Sequence, residues 1–211
     1  MKRTRLTWGG LLGLTSLLVG CAVAPTRYYS LATPAAEQPM GGAPVAMHGD
    51  DVRVVVTSMP PDTDRPQLVV RDPGGQAAVQ VLNESLWAAP LDEQIRAVLT
   101  DELSRHRTAS GDTGSAERGG RRIAVSVDRF DMVWEQFVAL DAHWTDRQPG
   151  AAEIRQCRAS IRVSTRGGDV AALVEAQRHA LARLGALMAE PSIAPAADAG
   201  DAMLTSESGC T

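Results

Sequence analysis

The sequence predicts a single α+β domain, a mainly antiparallel sheet with two amphipathic helices packed on one face. Three observations lead there. Apolar residues alternate at a period of two over several short runs. They recur at helical spacing in two longer segments. The order of these segments is strands, helix, a meander of strands, helix, with no repeat of solenoid length along the 211 residues.

The chain begins with a basic head, Lys2, Arg3 and Arg5, followed by an apolar stretch from Leu6 to Val19. That pattern reads as a secretory signal, and it is too short to span a bilayer comfortably. Leu18-Val19-Gly20-Cys21 then resembles the bacterial lipobox. Its residue types follow from the chemistry: the thiol takes a diacylglycerol, and the peptidase admits only a small side chain before the cut. Residues 1–20 are therefore expected to be removed and Cys21 to carry lipid. The alternative is a plain signal peptide with an incidental cysteine. Two or three acyl chains hold durably where one holds reversibly. Ala22 stands where an Asp would resemble an inner-membrane retention signal, so the expected address is the periplasmic face of the outer membrane.

Residues 21–50 are rich in Ala, Pro, Gly and polar groups and read as a flexible tether. Within them Tyr28-Tyr29-Ser30-Leu31 is an apolar island able to pair as an early strand. The folded domain is expected over 51–190. Val52, Val54 and Val56 alternate with Arg53 and Val55 as a strand, which Met59-Pro60-Pro61 ends. Residues 67–71 and 77–82 flank Asp72-Pro73-Gly74-Gly75, turn chemistry that predicts a hairpin. After Pro90, Leu91, Ile95, Val98, Leu99 and Leu103 fall on one helical face, with Asp92 and Glu93 in the first turn. Arg105, His106 and Arg107 lie near the end of that helix, and 108–120 reads as a loop.

Ile123, Val125 and Val127 mark the next strand, and 130–145 its hairpin partner, with Val138, Leu140, Ala142 and Trp144 on one face. After Gln148-Pro149-Gly150, Cys157, Ala159, Ile161 and Val163 line one face of a third strand while Arg158, Ser160 and Arg162 line the other. Asp169 is placed to cap a helix whose apolar positions run from Val170 to Met188 and which stops near Glu190-Pro191. Residues 191–211 are small and polar, a flexible C-terminal tail unless Cys210 pins it.

Three of the 21 basic residues and none of the 25 acidic ones fall within residues 1–20, which leaves 18 against 25, a net charge of −7. That balance argues against nucleic acid and against a polybasic grip on anionic lipid. With Cys21 lipidated, Cys157 and Cys210 remain. An oxidising compartment invites a disulfide that ties the tail to the core, and the competing reading is a buried Cys157 with a free Cys210. The four histidines, 48, 106, 143 and 179, stand at no metal-ligand spacing. Ser85 and Ser104 lack the hydrolase elbow, and the paired glycines lack the lysine of a phosphate loop. The expectation is a protein that is not an enzyme, with no metal and no cofactor beyond the covalent lipid on Cys21. One segment stands apart: Trp87 and Pro90 sit just before the helix that Leu91 begins. Such a corner either covers the end of the core or presents a rigid protein-contact anchor.

Trp87-Ala88-Ala89-Pro90-Leu91 and the helix after it resemble the ABC-type transport auxiliary lipoproteins, the paraquat-inducible protein C-like family. Tyr28-Tyr29-Ser30-Leu31 resembles the family's Tyr-Tyr-x-Leu element, and Asp64-Arg65-Pro66-Gln67-Leu68-Val69 its Arg-Pro-Gln-hydrophobic strand. The resemblance runs from Cys21 to near Met188 and is most specific over 64–103. It implies a non-enzymatic, outer-membrane-anchored subunit of an MCE-type lipid transport system. The implied partners are a periplasmic MCE-domain protein, an inner-membrane transporter component and further copies of the chain in a homo-oligomer. Two other roles fit an anchored, motif-poor domain: an outer-membrane assembly or pilot lipoprotein, and a periplasmic lipid-binding carrier.

Overall fold

A computed structural model describes residues 25–32, 52–74, 78–109, 120–190, 196–201 and 204–211. Nine strands form one sheet: β1 (Arg27–Tyr29), β2 (Val52–Ser58), β3 (Gln67–Arg71), β4 (Val79–Trp87), β5 (Arg121–Val133), β6 (Phe137–Arg147), β7 (Arg155–Ser164), β8 (Ala196–Asp201) and β9 (Leu204–Cys210). Two helices, α1 (Leu91–Ala109) and α2 (Val170–Ala189), pack against each other, α1 beside β2 and α2 across β5 to β7. The α+β class and the single domain stand as expected.

The strand order is β1-β4-β3-β5-β6-β7-β9-β8, with β2 also paired to β5. The β3–β4 hairpin and the β5–β6–β7 meander are antiparallel. Three parallel pairings sit beside them: β1 on β4, β2 on β5 and β3 on β5. Strand β2 runs along the first half of β5 (Val52↔Arg121 to Ser58↔Ser126), whereas β3 meets only its far end (Arg71↔Val133). Both therefore use the same edge of β5, one above the other.

Alternation places the core. Val54, Ile123, Val125, Leu140, Trp144 and Ile161 are buried on the sheet face that the helices cover, and they meet Ile95, Leu99 and Leu103 of α1 and Leu173, Leu181 and Leu184 of α2. Asp169 caps α2, its carboxylate accepting from the Ala172 amide at 2.8 Å. The helices approach closely at Gly185, where a Cβ would stand 2.6 Å from Cβ of Glu102.

Besides β4, which runs on to Trp87 rather than ending at residue 82, four boundaries differ from expectation. The second strand of the meander begins at Phe137, not at residue 130, because β5 continues through Phe130 to Val133. A register shift between Val127 and Arg129 breaks the period of two there, so Phe130 to Val133 are all buried. Helix α1 extends to Ala109, and the remainder of the expected 108–120 loop lies outside the described residues save Gly120. Within the expected tether, residues 27–31 belong to the domain: β1 adds to β4, and Leu31 is buried. Cys21 and the rest of that tether, apart from residues 25, 26 and 32, lie outside the described residues.

The fourth difference is the tail. The flexible 191–211 segment is corrected over 204–210, which forms β9 and pairs along β7 from Val163↔Leu204 to Cys157↔Cys210, with β8 outside it. The physical reason is covalent. Cys157 and Cys210 face each other across the ladder and are joined by a disulfide, and Gln156 and Thr211 exchange backbone hydrogen bonds beyond it.

Candidate functional site

Because β2 and β3 share one edge of β5, the chain between them must leave the sheet and return. Residues 59–66 do this through a 3-10 turn at Pro61–Thr63, and they overhang the point where β4 hands over to α1. A groove of about 760 Å³ forms under the overhang. Val56, Met59, Pro66, Trp87 and Leu91 supply its apolar wall, and Asp64, Arg65 and Asp92 its charged rim.

The three corner residues take different positions. Trp87 is buried, 6% exposed, with its ring edge-on to Phe130 at 6.3 Å between centroids. Leu91 is also buried, and Pro90 is exposed. Backbone bonds fix the turn: the Trp87 amide donates to Pro66 at 2.7 Å, and the Ala88 amide to Tyr29 at 2.8 Å. The tryptophan is thus mainly a core residue whose edge reaches the groove, and the exposed contact surface at the corner is Ala88, Ala89 and Pro90.

Two residues that the sequence did not flag hold this corner together. Gln94 is 7% exposed on α1; its amide nitrogen donates to the Ala89 carbonyl and its oxygen accepts from the Leu31 amide, both at 2.8 Å. Arg178 of α2 donates through Nε to the Ser30 carbonyl at 3.1 Å. The segment leading from the N-terminal anchor region is therefore fastened to both helices. A glutamine within the apolar stripe of a helix is the one signal that pointed to Gln94.

The strongest electrostatics lie elsewhere and stabilise the fold. Asp146 is fully buried at its side chain, and Arg121 grips it bidentately at 2.9 Å while Arg155 donates at 2.6 Å. Burial pushes that carboxyl up, but hydrogen bonds from Arg121 and then Arg155 overcome it and hold the carboxyl below its ordinary range. Asp131 behaves likewise: burial raises it, and Arg71 and Arg129 bring it below the usual value. Among the described residues no group of three His, Cys, Asp or Glu could hold a metal, and no helix is long and apolar enough to cross a membrane. The groove carries hydroxyls, two carboxylates and a guanidinium but no histidine or cysteine. Its chemistry is recognition of an apolar group by a wall with a polar rim.

No curated protein matches the chain. Among solved structures, it is similar to the crystal structure of an uncharacterized protein at 17% identity and a TM-score of 0.59, over 79% of this chain and 97% of that one. It is also similar to the crystal structure of protein XCC0632 from Xanthomonas campestris at 18% identity and a TM-score of 0.50, over 65% of this chain and 80% of that one. At such identities the likeness concerns the fold alone. Residues 29–189, from the last residue of β1 to the end of α2, match the family described as ABC-type transport auxiliary lipoprotein component, and the chain belongs to that family.

Proposed function

We propose that the chain is the outer-membrane-anchored subunit of an MCE-type, paraquat-inducible protein C-like lipid transport system. In this reading it faces the periplasm, is held by lipid on Cys21, and docks the periplasmic MCE-domain protein that an inner-membrane transporter component feeds. It acts as a homo-oligomer, performs no catalysis and takes no cofactor beyond its lipid. Its contribution to membrane integrity comes through the transport it supports.

The observation that carries the reading is the family match over 29–189, which begins eight residues after the lipobox cysteine. The corner geometry supports it. Gln94 joins the chain coming from the anchor to Ala89 in the groove wall, and Arg178 joins it to α2, so tension on the tether is borne beside the surface offered to a partner. Work would then be done by contact geometry rather than by proton transfer.

Co-purification from membranes tests the reading. The expected result is capture of an MCE-domain protein, together with an acylated Cys21 peptide in the mass spectrum. A strictly monomeric chain that captures no such protein would sink it. Stoichiometric lipid extracted from the purified domain would favour a carrier instead.

A further inference from the structure

The sheet face turned away from the helices carries a row of like charges. Arg53, Arg122 and Arg147 stand directly opposite one another on β2, β5 and β6. Their inward neighbours Val54, Ile123 and Asp146 are buried, so all three side chains leave the outer face, and all three are exposed. Strand spacing roots them about 5 Å apart, so three guanidinium groups span about 10 Å. None has a hydrogen-bond or ion-pair partner among the described residues. Charges of one sign directly opposite across strands repel, so an external counter-charge would stabilise the row.

The surroundings define that counter-charge. The next row is Val55, Ala124 and Thr145, with Val55 46% exposed, so the surface beside the arginines is flat and partly aliphatic. Arg158 lies further across the same face, exposed and with no ion pair among the described residues. The next outward carboxylate along β5 is Asp128, six residues and about 20 Å from Arg122, and it is engaged with His143. Along β5 that separation exceeds a Debye length. A flat basic surface with an exposed aliphatic step suits the plane of an anionic bilayer.

We propose that Arg53, Arg122 and Arg147 dock on the phosphate groups of anionic phospholipids in the membrane that carries the anchor, laying the outer sheet face on the bilayer. The inference rests on the anchored reading above. Cys21 and Arg27 are six positions apart, a link that reaches at most about 20 Å. β1 lies three strands from β5 and, through the β4–β3–β5 register, about level with the middle of β5, while the arginines occupy its N-terminal end. Lipid beside the β1 edge of the sheet and cations at the N-terminal end of β5 make two separated holds, which together fix the tilt of the domain and the direction in which the Trp87 groove faces.

Phenylglyoxal labelling of arginines in the full lipidated chain, read by mass spectrometry, tests this. The chain is reconstituted in vesicles of phosphatidylcholine alone or in equal parts with phosphatidylglycerol. Labelling at the three arginines is expected to slow about fivefold or more in the anionic vesicles, to recover in high salt, and to stay unchanged at Arg96 on α1. Equal labelling in both vesicles, or equal slowing at Arg96, overturns the proposal. Protection matched by glycerophosphate without vesicles overturns it in favour of a small-anion site, and protection that appears only with an acidic protein overturns it in favour of that partner. Arg158, on the same outer face, should show a smaller slowing in wild type, and the variant R53Q/R122Q/R147Q should fold normally and lose it. The mass of the Cys21 peptide reports the anchor separately: if it is unacylated, the same labelling with chain added from solution still tests the row.

Discussion

At Asp146 a carboxylate with no solvent contact is held by two guanidinium groups, and Arg121 also donates to the Met188 carbonyl at the end of α2. The cluster therefore joins β5, β6 and β7 to the last turn of a helix. Replacing the carboxylate leaves two cations facing each other, so Asp146→Asn is expected to cost about 3–5 kcal/mol, measured by urea unfolding. The pH dependence has a definite sign. The folded pKa lies below the unfolded one, so the stabilisation is complete above the ordinary carboxylate range and disappears as the solution is acidified through the folded pKa. Wild type should lose stability steeply below about pH 4, and D146N should give a flatter acid limb. The Asp131 cluster with Arg71 and Arg129 adds a second contribution of the same sign. None of this was legible from the letters, because Asp146 sits on the inward side of a strand where alternation predicts an apolar residue. Its partners come from 25 positions upstream and 9 downstream.

Among the elements, those legible in the sequence are the ones whose pattern is local. In β7 the inward set Cys157, Ala159, Ile161, Val163 and the outward arginines are placed as alternation predicts, and the cap at Asp169 follows from its residue type. The parallel pairing of β2 with β5 was hidden, since nothing in either segment names a partner 68 residues away. Strand β9 was hidden for another reason: Ser206 is buried, Gly209 lies in the ladder, and no apolar period exists to read. Only Cys210 hinted at it. The disulfide closes a loop with a sequence separation of 53, which the chain-entropy argument values at about 4 kcal/mol. Cys157→Ser with Cys210→Ser should lower stability by about 2–4 kcal/mol and release β9 amides to fast hydrogen exchange, while the β5–β6 ladder stays protected. Gly185 supplies a second prediction at this scale. A methyl group there would press on Glu102 of α1, so Gly185→Ala is expected to lose about 1–3 kcal/mol, although alanine is the better helix former.

For the whole molecule, the groove and its tether define what a docking test must avoid. Trp87 is the obvious residue from sequence, yet it is packed against Phe130 in the core, and Trp87→Ala would cost about 3–5 kcal/mol of stability. Loss of partner binding in that variant would say nothing about contact. Ala89 is the better probe, since it lines the groove, is exposed, and offers only its carbonyl to Gln94. Ala89→Arg fills the groove mouth with a long charged side chain while leaving the backbone bond and the core in place. Its folding stability should match wild type within about 0.5 kcal/mol. Affinity for the periplasmic partner proposed above should fall by about 2 kcal/mol or more, roughly thirtyfold. Arg96→Ala, an exposed change on α1 outside the groove, is the matched control and should bind as wild type. If A89R captures the partner as well as wild type does, the groove is not the contact, and docking must be sought on another surface of the same anchored domain.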